Sequence, residues 1–206
     1  MKWNQGGQFE NPPAGMHVAR CIKLIDLGTQ PVTFNNETKY QRKVLICWEL
    51  PETRMAGLYK PEVKGLPFAI SRRYTQSLAS NSNLKKDLEG WRGKQFDAAS
   101  AAAFQPKDIL GKPCMLNLVE QGEFVNVAGI TPVPKNLKCP KQINPSVYFS
   151  LAPEEFDNKV LQSLPEKTRE KITTSPEFKS LMTGAPEQEP TNEDPPVDTD
   201  NEEQPF

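Results

Sequence analysis

The chain has 206 residues, of which 36% are apolar, 20 are proline, four are cysteine and one is histidine, with a net charge of -1. That length holds one ordinary domain with extensions, and the low apolar share implies that part of the chain does not pack. A single histidine, His17, and the absence of any Cys-x-x-Cys pair argue against a metal centre and a His-based catalytic triad, and no apolar run is long enough to span a membrane.

Residues 1–15 are polar, with Gly6, Gly7, Pro12 and Pro13, and read as an N-terminal arm pinned by Trp3 or Phe9. The first residues lack the apolar core of a signal peptide, so a soluble cytoplasmic protein is expected. Residues 16–27 read as a first strand. Its apolar positions Val18, Ile22 and Leu24 change phase to Ile25 and Leu27, as a bulged or strongly bent strand requires. Residues 28–41 are polar and turn-rich and are expected to form a long loop carrying Phe34, Lys39 and Tyr40. Arg42-Lys-Val-Leu-Ile-Cys-Trp-Glu-Leu50 is the densest apolar stretch and reads as a central strand, with Val44, Ile46, Trp48 and Leu50 on one face. A second loop, 51–67, carries Arg54, Tyr59, Lys60 and Lys64. Residues 68–78 read as a third strand, with Phe68, Ile70, Arg72 and Tyr74 alternating with Ala69, Ser71, Arg73 and Thr75.

Ser82-Asn83 is a helix start, followed by Leu84, Leu88 and Trp91 at helical spacing, with Gly93 as the stop. Residues 98–104 continue as helix, and 106–110 make one more turn. Residues 114–119 and 124–130 are strands four and five, joined by a Gln121-Gly122 turn. After Pro134 the pattern changes. Residues 135–150 show no long period, 153–164 and 165–181 read as two short helices, and 185–206 are expected to be disordered. Cys21, Cys47 and Cys114 fall inside strands and read, with Cys139, as reduced structural thiols.

Five strands with a helix between the third and fourth is the order of the OB-fold, a five-stranded Greek-key barrel. The expected fold is therefore mainly β. It divides into an arm at 1–15, an OB-fold domain at 16–134, a proline-containing extension with short helices at 135–184 and an acidic tail at 185–206. On such a barrel the strand 2–3 face and the first loop form the usual nucleic-acid surface. Phe34, Lys39, Tyr40, Arg42, Lys43, Tyr59, Lys60, Lys64, Arg72, Arg73 and Tyr74 fall there. Single strands need both residue types, because cations neutralise phosphates and aromatic faces stack on bases. Trp48 and Trp91 are assigned to the core. No catalytic constellation appears, so the protein is not expected to be an enzyme, and no cofactor is implied.

The tail holds eight acids and no Lys or Arg, which leaves the first 184 residues with 25 bases against 18 acids, a net of +7. It closes with Asp198, Asp200, Glu202, Glu203, Pro205 and Phe206. A terminal aromatic behind a run of acids suits a partner with a small apolar pocket ringed by cations.

In this logic the chain resembles bacterial-type single-stranded DNA-binding proteins. Its body is more similar to the phage-encoded ones. The matching text is Pro13-Ala-Gly-Met-His-Val-Ala-Arg20, Ile25-Asp-Leu-Gly-Thr-Gln30, Val44-Leu-Ile-Cys-Trp-Glu-Leu50, Leu110-Gly-Lys-Pro-Cys114, Leu164-Pro-Glu-Lys and Lys171-Ile-Thr-Thr-Ser-Pro-Glu-Phe178. The resemblance implies sequence-neutral binding of single-stranded DNA in phage replication, recombination or repair, in the host cytoplasm. Replication or recombination proteins would be recruited by the tail, with no membrane partner and oligomeric state left open. Strand annealing or recombination mediation, and a protein-interaction adaptor without nucleic-acid binding, are the alternatives. The extension at 153–181 departs from the bacterial pattern.

Overall fold

The computed structural model describes residues 10–35 and 37–184. The chain runs β1 (Gly15–Phe34), β2 (Glu37–Arg54), β3 (Pro67–Thr75), α1 (Asn83–Arg92), α2 (Ala98–Ala102), β4 (Pro113–Gln121), β5 (Phe124–Thr131), β6 (Val147–Phe149), α3 (Asn158–Ser163), α4 (Glu166–Thr174) and α5 (Pro176–Thr183). The first five strands form an antiparallel sheet in the order β3-β2-β1-β4-β5, and β6 joins β1 in parallel. The strand-helix-strand order read from the sequence is thus the observed one. The edge strands β3 and β5 approach each other, with Arg72 Nη1 donating to the Val127 carbonyl at 3.0 Å.

β1 carries the two irregularities that its apolar phase change required. Cys21 and Lys23 face consecutive β2 residues, Trp48 and Cys47, so Ile22 is an extra residue; Leu27 is a second one between Asp26 and Gly28. Both extra side chains are buried. Bulges of this kind bend a strand and increase its twist, which lets β1 pair with β2, β4 and β6 along different parts of its length.

The sheet has two apolar sides. Val44, Ile46, Trp48 and Leu50 of β2 enter the main core with Leu24, Phe68, Ile70, Leu116 and Leu118. α1 covers this core. Ser82 accepts from the Lys85 N–H at its start, Gly93 ends it at φ 64°, and Leu84, Leu88 and Trp91 face inward. Trp91 lies 6.1 Å from Trp48, and a Cβ on Gly90 would meet the Ile130 carbonyl at 2.5 Å, so the helix sits hard against β5. A second cluster forms around Ile25, Leu27 and Leu45, built with Phe149, Leu151, Leu161, Leu164 and Ile172 from the C-terminal extension.

Four expectations change here. Residues 28–41 are not a long loop. β1 and β2 continue as a paired hairpin to Phe34 and Glu37, with Asn35 at the positive φ (49°) that tight hairpin turns favour. Beyond the Thr29–Arg42 pair this ribbon pairs with no third strand among the described residues, so its polar side chains and Pro31 meet no conflict with the ladder. Residues 135–150 contain β6, too short to show a period. The third strand stops at Thr75, and the extension has three helices after β6 where two were expected, because Ser175-Pro176 breaks the second and caps a third.

The extension is held by specific bonds to the sequence Asp26-Leu-Gly-Thr-Gln30. Asp26 accepts from Arg42 at 2.7 Å and from the Leu151 N–H, and Gln30 Nε2 donates to the Lys171 carbonyl at 2.9 Å. Glu177 accepts from both the backbone N–H and the hydroxyl of Thr29. Burial works against the Glu177 charge, but the Thr29 bonds outweigh it and hold the carboxyl below its usual range. Further along, Glu49 is fully buried and accepts from the backbone N–H groups of Ile143 and Asn144 and from the Asn144 amide. Arg20 donates to the carbonyls of Gly111, Cys139 and Pro140.

Gly28 sits at φ +68°, and a Cβ there would meet Ser175 Cβ and Oγ at 2.5 Å. Gly28→Ala should therefore lower global stability by about 1–3 kcal/mol or more, since it adds an unfavourable φ to an overpacked contact. Hydrogen exchange should show the protection loss concentrated in β6 and α3–α5. A variant with unchanged urea midpoint and unchanged exchange would contradict this docking.

Candidate nucleic-acid interface

The eleven candidate residues do not form one surface. Arg72 and Tyr74 occupy the core side of β3, as their alternation with Phe68 and Ile70 dictates. Tyr74 has no exposed surface and donates its hydroxyl to Asp87 Oδ2 at 2.8 Å. Arg72 pairs with the same carboxylate oxygen at 2.9 Å and stacks 5.1 Å from the Tyr74 ring. Neither is positioned to meet a base or a phosphate, so these two expectations are corrected. Asp87, on the inward face of α1, draws both polar groups inside. Lys43 is also buried, its Nζ donating to Thr75 Oγ1 at 2.9 Å, and Thr75 in turn donates to Gln41. Its expected phosphate role is corrected for the same reason.

Four other positions lie on the β1–β2 ribbon. Tyr40 is 49% exposed, Lys39 is partly buried, and Arg42 is turned to Asp26 beside the extension. Phe34 pairs with Glu37 at the ribbon end. Tyr59, Lys60 and Lys64 are exposed on the β2–β3 loop. That loop is braced, not floppy. Met55 and Leu66 bond across its neck, and the Glu10 carboxylate accepts from the backbone N–H groups of Ala56, Gly57 and Leu58. The Ala56 bond leads in holding the Glu10 carboxyl below its usual range, against some desolvation.

Arg73 is the candidate that reaches a concave site. A cleft of roughly 430 Å³ is lined by residues of β1, β2 and β3, the β2–β3 loop and the start of β5. Its floor is Ile22, Leu45, Ala69 and Ser71; Met55 and Leu66 close one side and Phe124 to Asn126 of β5 another. Lys23 and Arg73 bring positive charge to it, and Phe124 and Leu66 are 38% and 46% exposed. The β2–β3 loop with Tyr59, Lys60 and Lys64 adjoins the cleft through Met55 and Leu66, whereas the β1–β2 ribbon contributes nothing to its lining. Three amides line it, and all are engaged within the protein: Asn11 Nδ2 donates to the Glu123 carbonyl, Asn144 Nδ2 to Glu49, and Asn126 Nδ2 to Gln121.

Lys23 and Phe124 were missing from the sequence-based set. The signal for Phe124 was present: it follows the Gln121-Gly122 turn, at the mouth of a hairpin where an apolar ring is hard to bury. Lys23 carried none, since its direction depends on the Ile22 bulge. The tail residues Asp198, Asp200, Glu202, Glu203, Pro205 and Phe206 lie outside the described residues, as do Trp3 and Phe9. Among the described residues no cluster of His, Cys, Asp and Glu is arranged to hold a metal, and no helix is long and apolar enough to cross a membrane. The cysteines are free; burial pushes the Cys47 thiol up to about 11. Comparison with models of known families, with curated proteins and with solved structures found no match.

Tyr74→Phe removes one hydrogen bond to a buried carboxylate and leaves the surface untouched. It should cost about 1.5–3 kcal/mol in urea denaturation, with oligonucleotide affinity unchanged in the folded protein. A loss of affinity at unchanged stability would return Tyr74 to the interface.

Proposed function

We propose that this chain binds single-stranded DNA without sequence preference along the β2–β3 cleft of an OB-type barrel, and recruits replication or recombination proteins through its acidic tip. The observation that carries the reading is the cleft itself, where an apolar floor, an exposed phenylalanine and two cations from separate strands converge. Phosphates meet Lys23 and Arg73, and base faces meet Phe124 and the apolar floor. A duplex hides its base faces, so such a cleft favours single strands. The amides beside it are already bonded within the protein, which leaves little base-edge readout and fits sequence neutrality. Supporting an OB-type barrel are the strand order, the approach of β3 to β5, and a helix between β3 and β4 that covers the main core. The family resemblance of the sequence points the same way. It extends the reading to phage DNA metabolism and implies neither catalysis nor a cofactor.

Fluorescence titration with poly-dT and with duplex of equal length tests the proposal, and tight binding of poly-dT alone is expected. Arg73→Ala should reduce the slope of log K against log salt by roughly 0.7, the value of one phosphate contact on a single strand. Phe124→Ala should cost about 1–3 kcal/mol if one base stacks there. Equal affinity for poly-dT and duplex, or failure to bind either at low salt, would overturn the reading.

Deletion of 199–206 should leave single-strand affinity unchanged or raise it modestly at low salt, because Asp200, Glu202 and Glu203, three of the tail's eight acids, no longer compete with phosphates for a +7 body. Phe206→Ala alone should abolish most binding of replication or recombination proteins in pull-downs from infected cells. Retention of every such contact would reduce the tail to a solubility device.

A further inference from the structure

The segment ahead of β1 bridges two walls of the cleft and belongs to its lining through Glu10, Asn11 and Pro12. On the β2–β3 loop, the Glu10 carboxylate accepts from three consecutive backbone N–H groups, those of Ala56 at 2.5 Å, Gly57 at 3.0 Å and Leu58 at 3.2 Å. On the β4–β5 turn, Asn11 Nδ2 donates to the Glu123 carbonyl at 2.8 Å. Successive N–H groups aimed at one point, with the middle residue at φ +75°, form a concavity of the kind that binds phosphates. Two cations root beside it. A Cβ on Gly57 would meet Lys64 Cβ at 2.8 Å and the Lys60 carbonyl at 3.4 Å, and both lysines are exposed. Glu10 is thus an internal carboxylate seated where a phosphate would bind. Its hold is superficial, since the bonds to Ala56 and Leu58 and the Asn11 bond all lie exposed. A phosphodiester carries the same single charge on two free oxygens and can make the same bonds. Unlike Glu10, it comes with neighbouring phosphates that can reach Lys60 and Lys64.

We infer that the backbone N–H groups of Ala56, Gly57 and Leu58, flanked by Lys60 and Lys64, form a phosphate-binding nest that Glu10 fills in the free protein. A phosphate of the bound single strand takes the place of the carboxylate and displaces residues 10–12 from the cleft. This rests on the single-strand reading above and names the contact that strand loading must break.

The test uses the full chain with Glu10→Gln, which keeps the size of the side chain and removes its charge. Glu10→Gln should bind poly-dT at low salt roughly three- to tenfold more tightly than wild type, because the competing anion is gone. Glu62→Gln removes the same charge from an exposed position on the same loop, and should change the affinity by no more than about twofold. Inorganic phosphate, followed by amide NMR, should shift the Ala56, Gly57 and Leu58 resonances saturably in Glu10→Gln, and far less in wild type at the same concentration. If Glu10→Gln binds poly-dT more weakly than wild type, the carboxylate serves only to brace the loop; the nest is then wrong and the cleft reading stands. Equal gains in the two variants would reduce the effect to net charge, and unmoved amides would remove the nest itself. If neither wild type nor Glu10→Gln binds poly-dT at low salt, the exchange with a strand falls together with the single-strand reading.

Discussion

Ile25, Leu27 and Leu45 lie on the side of the sheet opposite the main core, and an apolar patch there has to be covered. A sheet with one wet face would not place them so. The C-terminal extension meets this requirement with Phe149, Leu151, Leu161, Leu164 and Ile172. Each such side chain removed from water is worth about 1.5–3 kcal/mol. The polar residues around the patch then act as fasteners. Thr29 holds Glu177, Gln30 holds the Lys171 backbone, Asp26 holds Arg42 and the Leu151 N–H, and Gly28 leaves room for Ser175. Direction comes from these bonds, and most of the energy from the burial.

This covering also sets where a ligand can bind. The extension covers the β1–β2 part of the outer face up to the row of Leu45 and Arg73. What stays open is the strip beyond it toward β3, the β2–β3 loop and the β4–β5 turn. The cleft lies in that strip. The charged β1–β2 ribbon, which the sequence marks as a binding loop, is not part of its lining among the described residues.

The order of elements was legible because it rests on short-range signals: apolar runs, the Ser82 cap, the Gly93 stop and the Gln121-Gly122 turn. The bulges of β1 were legible as a phase change. The ribbon at 28–41 was not, since polar residues in an exposed two-stranded hairpin look like a loop. β6 was not, since three residues carry no period. In the candidate site the error at Arg72 and Tyr74 was avoidable. Period-two alternation puts both on the Phe68 and Ile70 face, and Asp87 sits between Leu84, Leu88 and Trp91 on the apolar face of α1. A buried acid demands a cation and a donor, and those two residues supply them. Lys23 was beyond reach, because its direction into the cleft depends on the Ile22 bulge. Two sequence stretches, 25–30 and 171–178, turn out to be the two sides of the extension's docking.

The parallel pairing of β6 with β1 joins residues about 124 positions apart, Lys23 with Val147 and Ile25 with Phe149. During synthesis the N-terminal strands leave the ribosome first. The antiparallel sheet can assemble and close its main core while the chain beyond it is still being made. Until Phe149, Leu161 and Ile172 have emerged, Ile25, Leu27 and Leu45 remain an uncovered patch on an otherwise finished sheet. The nascent protein therefore passes through a stage with a sticky outer face, and a stalled chain ending before 147 is the form of this molecule most prone to aggregate or to engage a chaperone.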